Sequence, residues 1–322
     1  MAELYAIVDH PHPSRAPLAA VADALLRGDG RRGARKLQLR AKTASSGERA
    51  ALALELAPVC HAHGVTLVVN DDLAAACALA RWAARGLSVG LHLGQGDPGA
   101  TDVAGVRARA AAAGVERLEL GLSTHDLGQL QVATAQRPDL LAFGPVRATG
   151  SKAAAEPPVG FGALLEAAQR APRPLVAIGG LDADGARKAA RLGVAWVAAI
   201  GALAGADVAA CGRAAAALAE ACEVGSRPLH LDEVAAAIPV LAPALLHDLA
   251  AWGDALSLQL QLGLPARFRP WLEGNAARYR PSDVLDLLYV LDKRADESWE
   301  QWRARPHPAS LTNVVPLRRP GG

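Results

Sequence analysis

The stretch VTLVVNDDLAAACALA, residues 65–80, begins as an apolar run and ends as an alanine-rich run, with Asn70, Asp71 and Asp72 at the join. The continuous apolar part predicts a strand buried on both faces, and the alanine-rich part predicts a helix. One aspartate is explained as a cap, because its carboxylate accepts hydrogen bonds from the free N–H groups at a helix start. We assign that role to Asp72. The other carboxylate and the asparagine need a different explanation.

The same unit of strand and helix recurs along the chain. Apolar runs occur at residues 4–8, 36–40, 66–70, 89–94, 118–123, 140–146, 174–180 and 196–202, with alanine-rich helical segments between them. Strands that alternate with helices predict a parallel sheet. Eight units over about 215 residues are the number and size typical of a (β/α)8 TIM barrel, an α/β fold. A doubly wound open sheet is the alternative, but eight regular units strain that architecture.

The pattern changes after about residue 220. Strand-like runs stop there, and residues 230–262 and 281–304 predict amphipathic helices. We therefore predict a barrel over residues 1–220, followed by a small helical C-terminal extension over residues 221–322. The role of the extension stays open, because an extra helical layer and a contact between copies in a homo-oligomer both fit the pattern.

Composition excludes several classes of function. The net charge is +2, and the chain has no basic block with interleaved aromatic residues, so we expect no nucleic-acid partner. The amino terminus lacks the features of a secretory signal, and no uncharged apolar run has membrane-spanning length, so we expect a cytoplasmic protein without a membrane partner. The four cysteines lack metal-binding spacing and fit a reduced compartment.

Polar residues and glycines cluster at the carboxyl ends of the predicted strands. They are Gln38, Arg40, Lys42, Asn70, Asp71, Gln95, Asp97, Ser123, Thr149, Ser151, Lys152, Gly179, Gly180 and Gly201, and the apolar Ile200 precedes the last of them. The active sites of TIM barrels are built on this rim. Capping alone does not explain a rim supplied by so many strands, so we predict an active site there.

The rim residues predict sites for two kinds of ligand, a metal ion and a polyphosphate. Asp71 and Asp97 come after adjacent strands, and two converging carboxylates with ligand oxygens and water describe a Mg²⁺ site. Arg40, Lys42 and Lys152 supply positive charge for a polyphosphate beside that metal.

A second anion site is predicted at the loops after the last two strands. In TIM barrels the backbone N–H groups of these loops form the usual phosphate site, and here they carry Gly179-Gly180 and Ile200-Gly201. Two phosphate sites predict two phosphorylated small-molecule substrates.

Short motifs at the predicted strand ends closely resemble those of the thiamine phosphate synthase family, over about residues 3–206. In chain order they are QLRAK (38–42), VVND (68–71), HLGQGD (92–97), GLSTH (121–125), FGPVRATGSK (143–152), AIGG (177–180) and AAIGAL (198–203). The resemblance implies a transferase that joins hydroxymethylpyrimidine diphosphate to a thiazole phosphate. The products would be thiamine phosphate and pyrophosphate, and Mg²⁺ would be the cofactor.

The resemblance also implies roles for individual residues. The pyrimidine diphosphate would contact Gln38, Leu39, Arg40, Ala41, Lys42 and Asn70. Asp71 and Asp97 would hold Mg²⁺, and Ser123 and Lys152 would bind the diphosphate. The thiazole phosphate would contact Thr149, Gly150, Ser151, Gly180, Ile200 and Gly201. Arg40, Ser123 and Lys152 would be the catalytic residues, because negative charge accumulates on the diphosphate as it departs.

Some positions depart from the family pattern. Asp72 stands where the family commonly has arginine, Trp196 replaces a small residue, and Gly201 replaces a serine. The last change removes a hydroxyl group but keeps the backbone N–H, which predicts weaker binding of the thiazole phosphate.

Two other functions remain open. One is a thiazole tautomerase-like isomerase of the same fold, although that branch typically has histidine where this chain has Pro145. The other is a non-catalytic protein that binds phosphorylated thiamine precursors. His92 and His125 are candidate acid-base groups, and packed, hydrogen-bonded histidines are the alternative interpretation.

Overall fold

Eight parallel strands close into a barrel, and each strand pairs with the next along the chain. The computed structural model describes residues 1–30, 32–150 and 156–226. The strands are β1 (Glu3–Asp9), β2 (Lys36–Arg40), β3 (Thr66–Asn70), β4 (Val89–Leu93), β5 (Leu118–Thr124), β6 (Leu140–Phe143), β7 (Leu175–Ile178) and β8 (Trp196–Ala199). The predicted TIM barrel is confirmed, because β8 pairs with β1 and closes the sheet.

Helices follow the strands in the described part of the chain. They are α1 (Leu18–Arg27), α2 (Ser46–His63), α3 (Leu73–Cys77), α4 (Ala80–Ala83), α5 (Val103–Ala112), α6 (Leu127–Ala135), α7 (Gly160–Arg170), α8 (Ala183–Arg191) and α9 (Val208–Ser226). A short 3₁₀ helix, Gly201–Leu203, follows β8. Of the helices described, none is both long and apolar enough to cross a membrane.

Aspartate side chains begin several of these helices. The Asp72 carboxylate accepts a hydrogen bond of 3.0 Å from the Ala75 N–H at the start of α3, which confirms the predicted cap. Asp102, Asp126 and Asp182 cap α5, α6 and α8 in the same way. Each cap satisfies N–H groups that have no partner within the helix, so the chain turns from strand to helix at a defined residue.

The strands bury side chains on both faces. Residues that alternate along β1 and β6 point into the barrel, where an apolar cluster includes Tyr5, Ile7, Leu140 and Ala142. The intervening residues, such as Leu4, are also buried and face the surrounding helices. This double burial explains why the strands read as continuous apolar runs in the sequence.

A charged cluster lies inside the barrel near the amino ends of the strands. We call Tyr5, Lys36, Glu119 and Trp196 the barrel floor. The Lys36 ammonium group forms an ion pair with Glu119, and its side chain is only 3% exposed. Its Nζ also lies 4.8 Å from the centroid of the Trp196 ring and 5.9 Å from that of Tyr5. The floor therefore holds a buried cation between an opposite charge and two aromatic rings.

Residues 1–160 and 170–226 form one compact unit, which contains the whole barrel, whereas residues 161–169 belong to a second unit. Helix α9 runs through residue 220 and is described as far as Ser226. The remainder of the predicted C-terminal extension lies outside the described residues. The division at residue 220 and the helical nature of the extension therefore stay predictions.

Candidate active site

A cavity of about 430 Å³ opens at the carboxyl ends of the strands. We call it the central cavity. The predicted site residues that line it are Gln38, Arg40, Lys42, Asn70, Asp71, Gln95, Asp97, Ser123, Thr149, Gly179 and Ile200. The fold thus brings together residues that lie far apart in the sequence, because parallel strands in a barrel end on one rim.

Strand β2 directs alternate side chains toward the cavity. The Gln38 amide donates a hydrogen bond of 2.8 Å to the Tyr5 hydroxyl, and Arg40 Nη1 lies 2.6 Å from Asp9 Oδ1. Leu39 lies between these two residues and is buried on the opposite face, and Ala41 is also buried. The structure therefore places Leu39 and Ala41 away from the cavity lining, although both were predicted to contact the substrate.

The two predicted metal ligands lie against each other at the rim. Asp71 adopts a left-handed backbone conformation with φ of 62°, which turns the chain directly after β3. Asp97 Oδ2 accepts a hydrogen bond of 2.6 Å from the Gly94 N–H. Burial raises the pKa of Asp71 to about 6, helped by a hydrogen bond and by the negative charge from Asp97. We call Asp71 and Asp97 the carboxylate pair.

The carboxylate pair fits a divalent cation. Two like charges in a half-buried site repel each other, and a bound cation would relieve that repulsion. Within the part of the chain that the structure describes, no group of three or more ligating side chains occurs. Two carboxylates fill only part of a coordination shell, and ligand oxygens and water would complete it, which is the pattern that Mg²⁺ prefers.

Asp72 does not belong to the carboxylate pair, because hydrogen bonds already satisfy its side chain. Burial opposes ionisation of Asp72, but hydrogen bonds from Ala75, Ser46 and Arg49 together lower its pKa. The Arg49 guanidinium group lies 3.2 Å from Asp72 Oδ2. Adjacent aspartates thus have opposite pKa shifts, because hydrogen bonds and the charge of Arg49 outweigh burial at Asp72, whereas burial and the second carboxylate act together at Asp71.

Ser123 and His92 form a polar contact on one wall of the central cavity. His92 Nε2 lies 2.9 Å from Ser123 Oγ. The second candidate histidine, His125, has its Nδ1 2.6 Å from the Gly144 carbonyl oxygen. Both histidines line the cavity and both are hydrogen-bonded, so their packed and functional interpretations are compatible.

Several residues of the cavity lining were not predicted, and three of them carry polar side chains that a ligand could contact. Tyr5, Gln129 and Glu156 line the central cavity. Tyr5 lies in β1, where side chains point alternately to the helices and to the barrel interior. This alternation could have predicted that the Tyr5 side chain points into the barrel. Gln129 and Glu156 lie outside the strands, and no strand-end signal identifies them.

A second cavity of about 440 Å³ adjoins the first and is lined by the loops after β6, β7 and β8. The predicted residues in its lining are Thr149, Gly150, Gly180, Ile200 and Gly201. We call it the loop cavity. It shares Thr149 and Ile200 with the central cavity, so ligands in the two cavities would be neighbours.

Gly180 shows why a glycine is needed beside the loop cavity. Its φ is +65°, and a Cβ atom there would lie 2.3 Å from the Ala148 carbonyl oxygen. The loops therefore approach each other through backbone alone. Ser151 and Lys152 lie outside the described residues, so their predicted contacts with substrate stay predictions.

Comparisons with known proteins identify the family. The sequence model of the family described as thiamine monophosphate synthase matches residues 4–203. The chain belongs to this family. The resemblance found in the strand-end motifs is therefore confirmed, and the match ends close to the end of the barrel.

Individual thiamine-phosphate synthases agree with this assignment. The chain is 36% identical over 203 residues to the one from Alcanivorax borkumensis, and the match covers 63% of this chain and 85% of that protein. It is 38% identical over 167 residues to the one from Prochlorococcus marinus. That match covers 52% of this chain but only 43% of that protein, so the chain spans less than half of that relative's length. A solved thiamine phosphate pyrophosphorylase from Pyrococcus furiosus has a TM-score of 0.56 at 25% identity, over 69% of this chain and 96% of that one.

Proposed function

We propose that this member of the thiamine monophosphate synthase family is a transferase that joins hydroxymethylpyrimidine diphosphate to a thiazole phosphate. The observation that carries the proposal is the carboxylate pair at the rim of a cavity that also contains Arg40, Lys42 and Ser123. A single cavity thereby offers a metal site beside cations and a hydroxyl group, which suits a diphosphate.

The residues of the central cavity would hold the first substrate. Gln38 and Asn70 present amide groups that can hydrogen-bond to a heteroaromatic ring, and Gln38 is fixed by its contact with Tyr5. Arg40 and Lys42 would bind the diphosphate oxygens. Asp71 and Asp97 would hold Mg²⁺, which supplies positive charge that stabilises a departing diphosphate.

The chemical step needs no protein nucleophile. The bond between the hydroxymethyl carbon and the diphosphate oxygen breaks, and its electron pair leaves with the diphosphate. The electron-rich aminopyrimidine stabilises the resulting cation, and the thiazole nitrogen then donates its lone pair to form the new C–N bond. Arg40 and Ser123 would stabilise the negative charge that accumulates on the leaving group.

The loop cavity would place the second substrate beside the first. Its backbone at Gly180 and Gly201 suits a phosphate, because N–H groups donate to anions without a side chain between them. Since the two cavities share Thr149 and Ile200, the thiazole ring would reach the reacting carbon. We propose that Lys152 binds the diphosphate, because it lies in a motif that resembles the family's.

The proposal also covers the cofactor, the location and the partners of the protein. We propose Mg²⁺ as the cofactor, a cytoplasmic location and no nucleic-acid partner, with assembly into a homo-oligomer left open. The nearly balanced net charge of +2 supports the absence of a nucleic-acid partner.

The test is pyrophosphate release by the purified full-length protein. We expect release only when both substrates and Mg²⁺ are present, together with stoichiometric thiamine phosphate. Conversion of the thiazole phosphate alone into an isomer, without pyrophosphate, would instead support a tautomerase. Tight binding of both substrates without any turnover would support a binding protein.

A further inference from the structure

Ser123 and His92 lie on neighbouring strands and meet inside the central cavity. His92 in β4 has Gly121 of β5 as its register partner, and Ser123 follows two residues later on the same strand. The distance between His92 Nε2 and Ser123 Oγ is 2.9 Å, and His92 is only 8% exposed. The contact is therefore shielded from solvent but open to the ligand space.

The position of the His92 ring depends on Gly121. A Cβ atom at Gly121 would lie 2.5 Å from His92 Nδ1, so any other residue there would force the ring to move. The missing side chain lets the imidazole pack directly against β5. Since both strands belong to the closed barrel, the ring is held in one place relative to Ser123.

The direction of this hydrogen bond decides what Ser123 can offer a ligand. A serine hydroxyl has one hydrogen and two lone pairs. If Ser123 donates to the imidazole, it presents only lone pairs to the cavity, and these repel an anion. If the imidazole donates to Ser123, the hydroxyl hydrogen is available for the anion.

We propose that His92 is a positioning residue whose Nε2–H donates to Ser123 Oγ and so directs the serine hydrogen toward the diphosphate. The inference rests on the proposed function, because it takes the ligand beside Ser123 to be a diphosphate. His92 acts through Ser123 and is not itself the catalytic residue. The hydrogen bond becomes stronger as negative charge grows on the leaving group, so its effect falls on turnover.

The experiment compares two replacements of His92 in the full-length protein. In H92L the donor is lost, and we expect kcat for pyrophosphate release to fall about 10- to 100-fold while KM for both substrates changes less than about 3-fold. In H92Q an N–H donor is kept, and we expect most of the lost turnover to be restored. G121A, which displaces the ring without removing either partner, should resemble H92L.

A double-mutant cycle separates positioning from a general effect on the fold. In the S123A background the H92L change should lower kcat by less than about 3-fold, because the group it positions is already absent. The matched control is H63L, since His63 lies 2.9 Å from Asp23 on the outer surface and should leave turnover unchanged. Equal losses from H92L in both backgrounds, or no advantage of H92Q over H92L, would overturn the proposal.

Binding of inorganic pyrophosphate with Mg²⁺ tests the same contact without turnover. By calorimetry we expect H92L and S123A each to weaken binding to the full-length protein about 10-fold, and the double variant to bind no worse than S123A. If that pattern appears in a protein that forms no thiamine phosphate, the positioning role stands and the proposed function fails. If pyrophosphate does not bind, or binds equally well to H92L, the positioning role is wrong.

Discussion

The two ends of the barrel interior bury charge in different ways. At the floor, the Lys36 ammonium group pairs with Glu119 and lies 4.8 Å from the Trp196 ring centroid. At the rim, Asp71 faces Asp97, a group of the same charge, and its pKa is raised to about 6. The floor therefore pairs opposite charges, whereas the carboxylate pair at the rim places two groups of the same charge side by side.

This difference separates a structural cluster from a binding site. Removing a charge from water is unfavourable unless an opposite charge or hydrogen bonds compensate for it. The floor contains that compensation, so it needs no ligand. A bound cation would supply that compensation to the carboxylate pair. The rim is therefore the end of the barrel that would respond to a ligand. The predictions below change the two ends separately.

The largest effect is expected at the rim. We expect D71N and D97N each to lower pyrophosphate release about 100-fold or more and to raise the Mg²⁺ concentration needed for activity, because an amide is a poorer ligand for a hard cation. Asparagine tolerates the left-handed backbone at residue 71, so D71N should fold. The measurement is a Mg²⁺ titration of turnover.

The control for this titration is D102N, which changes the exposed cap of α5 and keeps an acceptor for the Gly105 N–H. It should behave as the unaltered protein does. Mg²⁺ titrations of D71N and D97N that match those of the unaltered protein would remove the metal site from the rim.

A smaller effect, on stability, is expected at the floor. K36M leaves Glu119 without its partner and should lower the free energy of unfolding by about 2–3 kcal/mol, less than for a fully buried pair because the Glu119 side chain is 30% exposed. Turnover of the folded protein should change less than about 3-fold. The measurement is urea unfolding followed by circular dichroism.

The double variant K36M/E119Q is the companion test of the floor. It removes both charges, so it should recover at least half of the lost stability. A double variant no more stable than K36M would show that the ion pair is not what stabilises the floor.

The smallest effect concerns the pH dependence of the floor. Burial, followed by the charge of Glu119, raises the pKa of Tyr5 above the ordinary value of 10.0. The folded state then keeps a proton that the unfolded state loses, so this contribution to stability is complete below pH 10 and is lost as the pH rises above it. Between pH 10 and pH 11 we expect the free energy of unfolding to fall about 1 kcal/mol more than in Y5F.

Parallel urea titrations of the unaltered protein and Y5F measure this difference. Y5F keeps the ring in the floor but has no ionisable group, which makes it the matched reference. Identical alkaline slopes for the two proteins would mean that the Tyr5 phenol is as accessible to ionisation in the folded state as in the unfolded chain.

Much of the rim could be predicted because its signals are local. Apolar runs identify the strands, and Asp72 follows β3 at the point where a helix needs a cap. The roles of Asp71 and Asp72 could be separated for the same reason, since only one of them is needed to begin α3. Leu39 and Ala41 were placed in the site because they lie within a matched motif, although alternation along β2 turns Leu39 away from it.

The sequence by itself determined the order of strands and helices, the helix starts and the edge of the sheet that carries the polar residues, because hydrophobic periodicity and capping act over a few residues. Only the tertiary structure decided which of those residues touch. Lys36 meets Glu119 across 83 residues of chain, and His92 meets Ser123 across 31. Such contacts depend on how the barrel closes and on the register between strands, which no local pattern specifies. They bring opposite charges together at the floor and two carboxylates together at the rim.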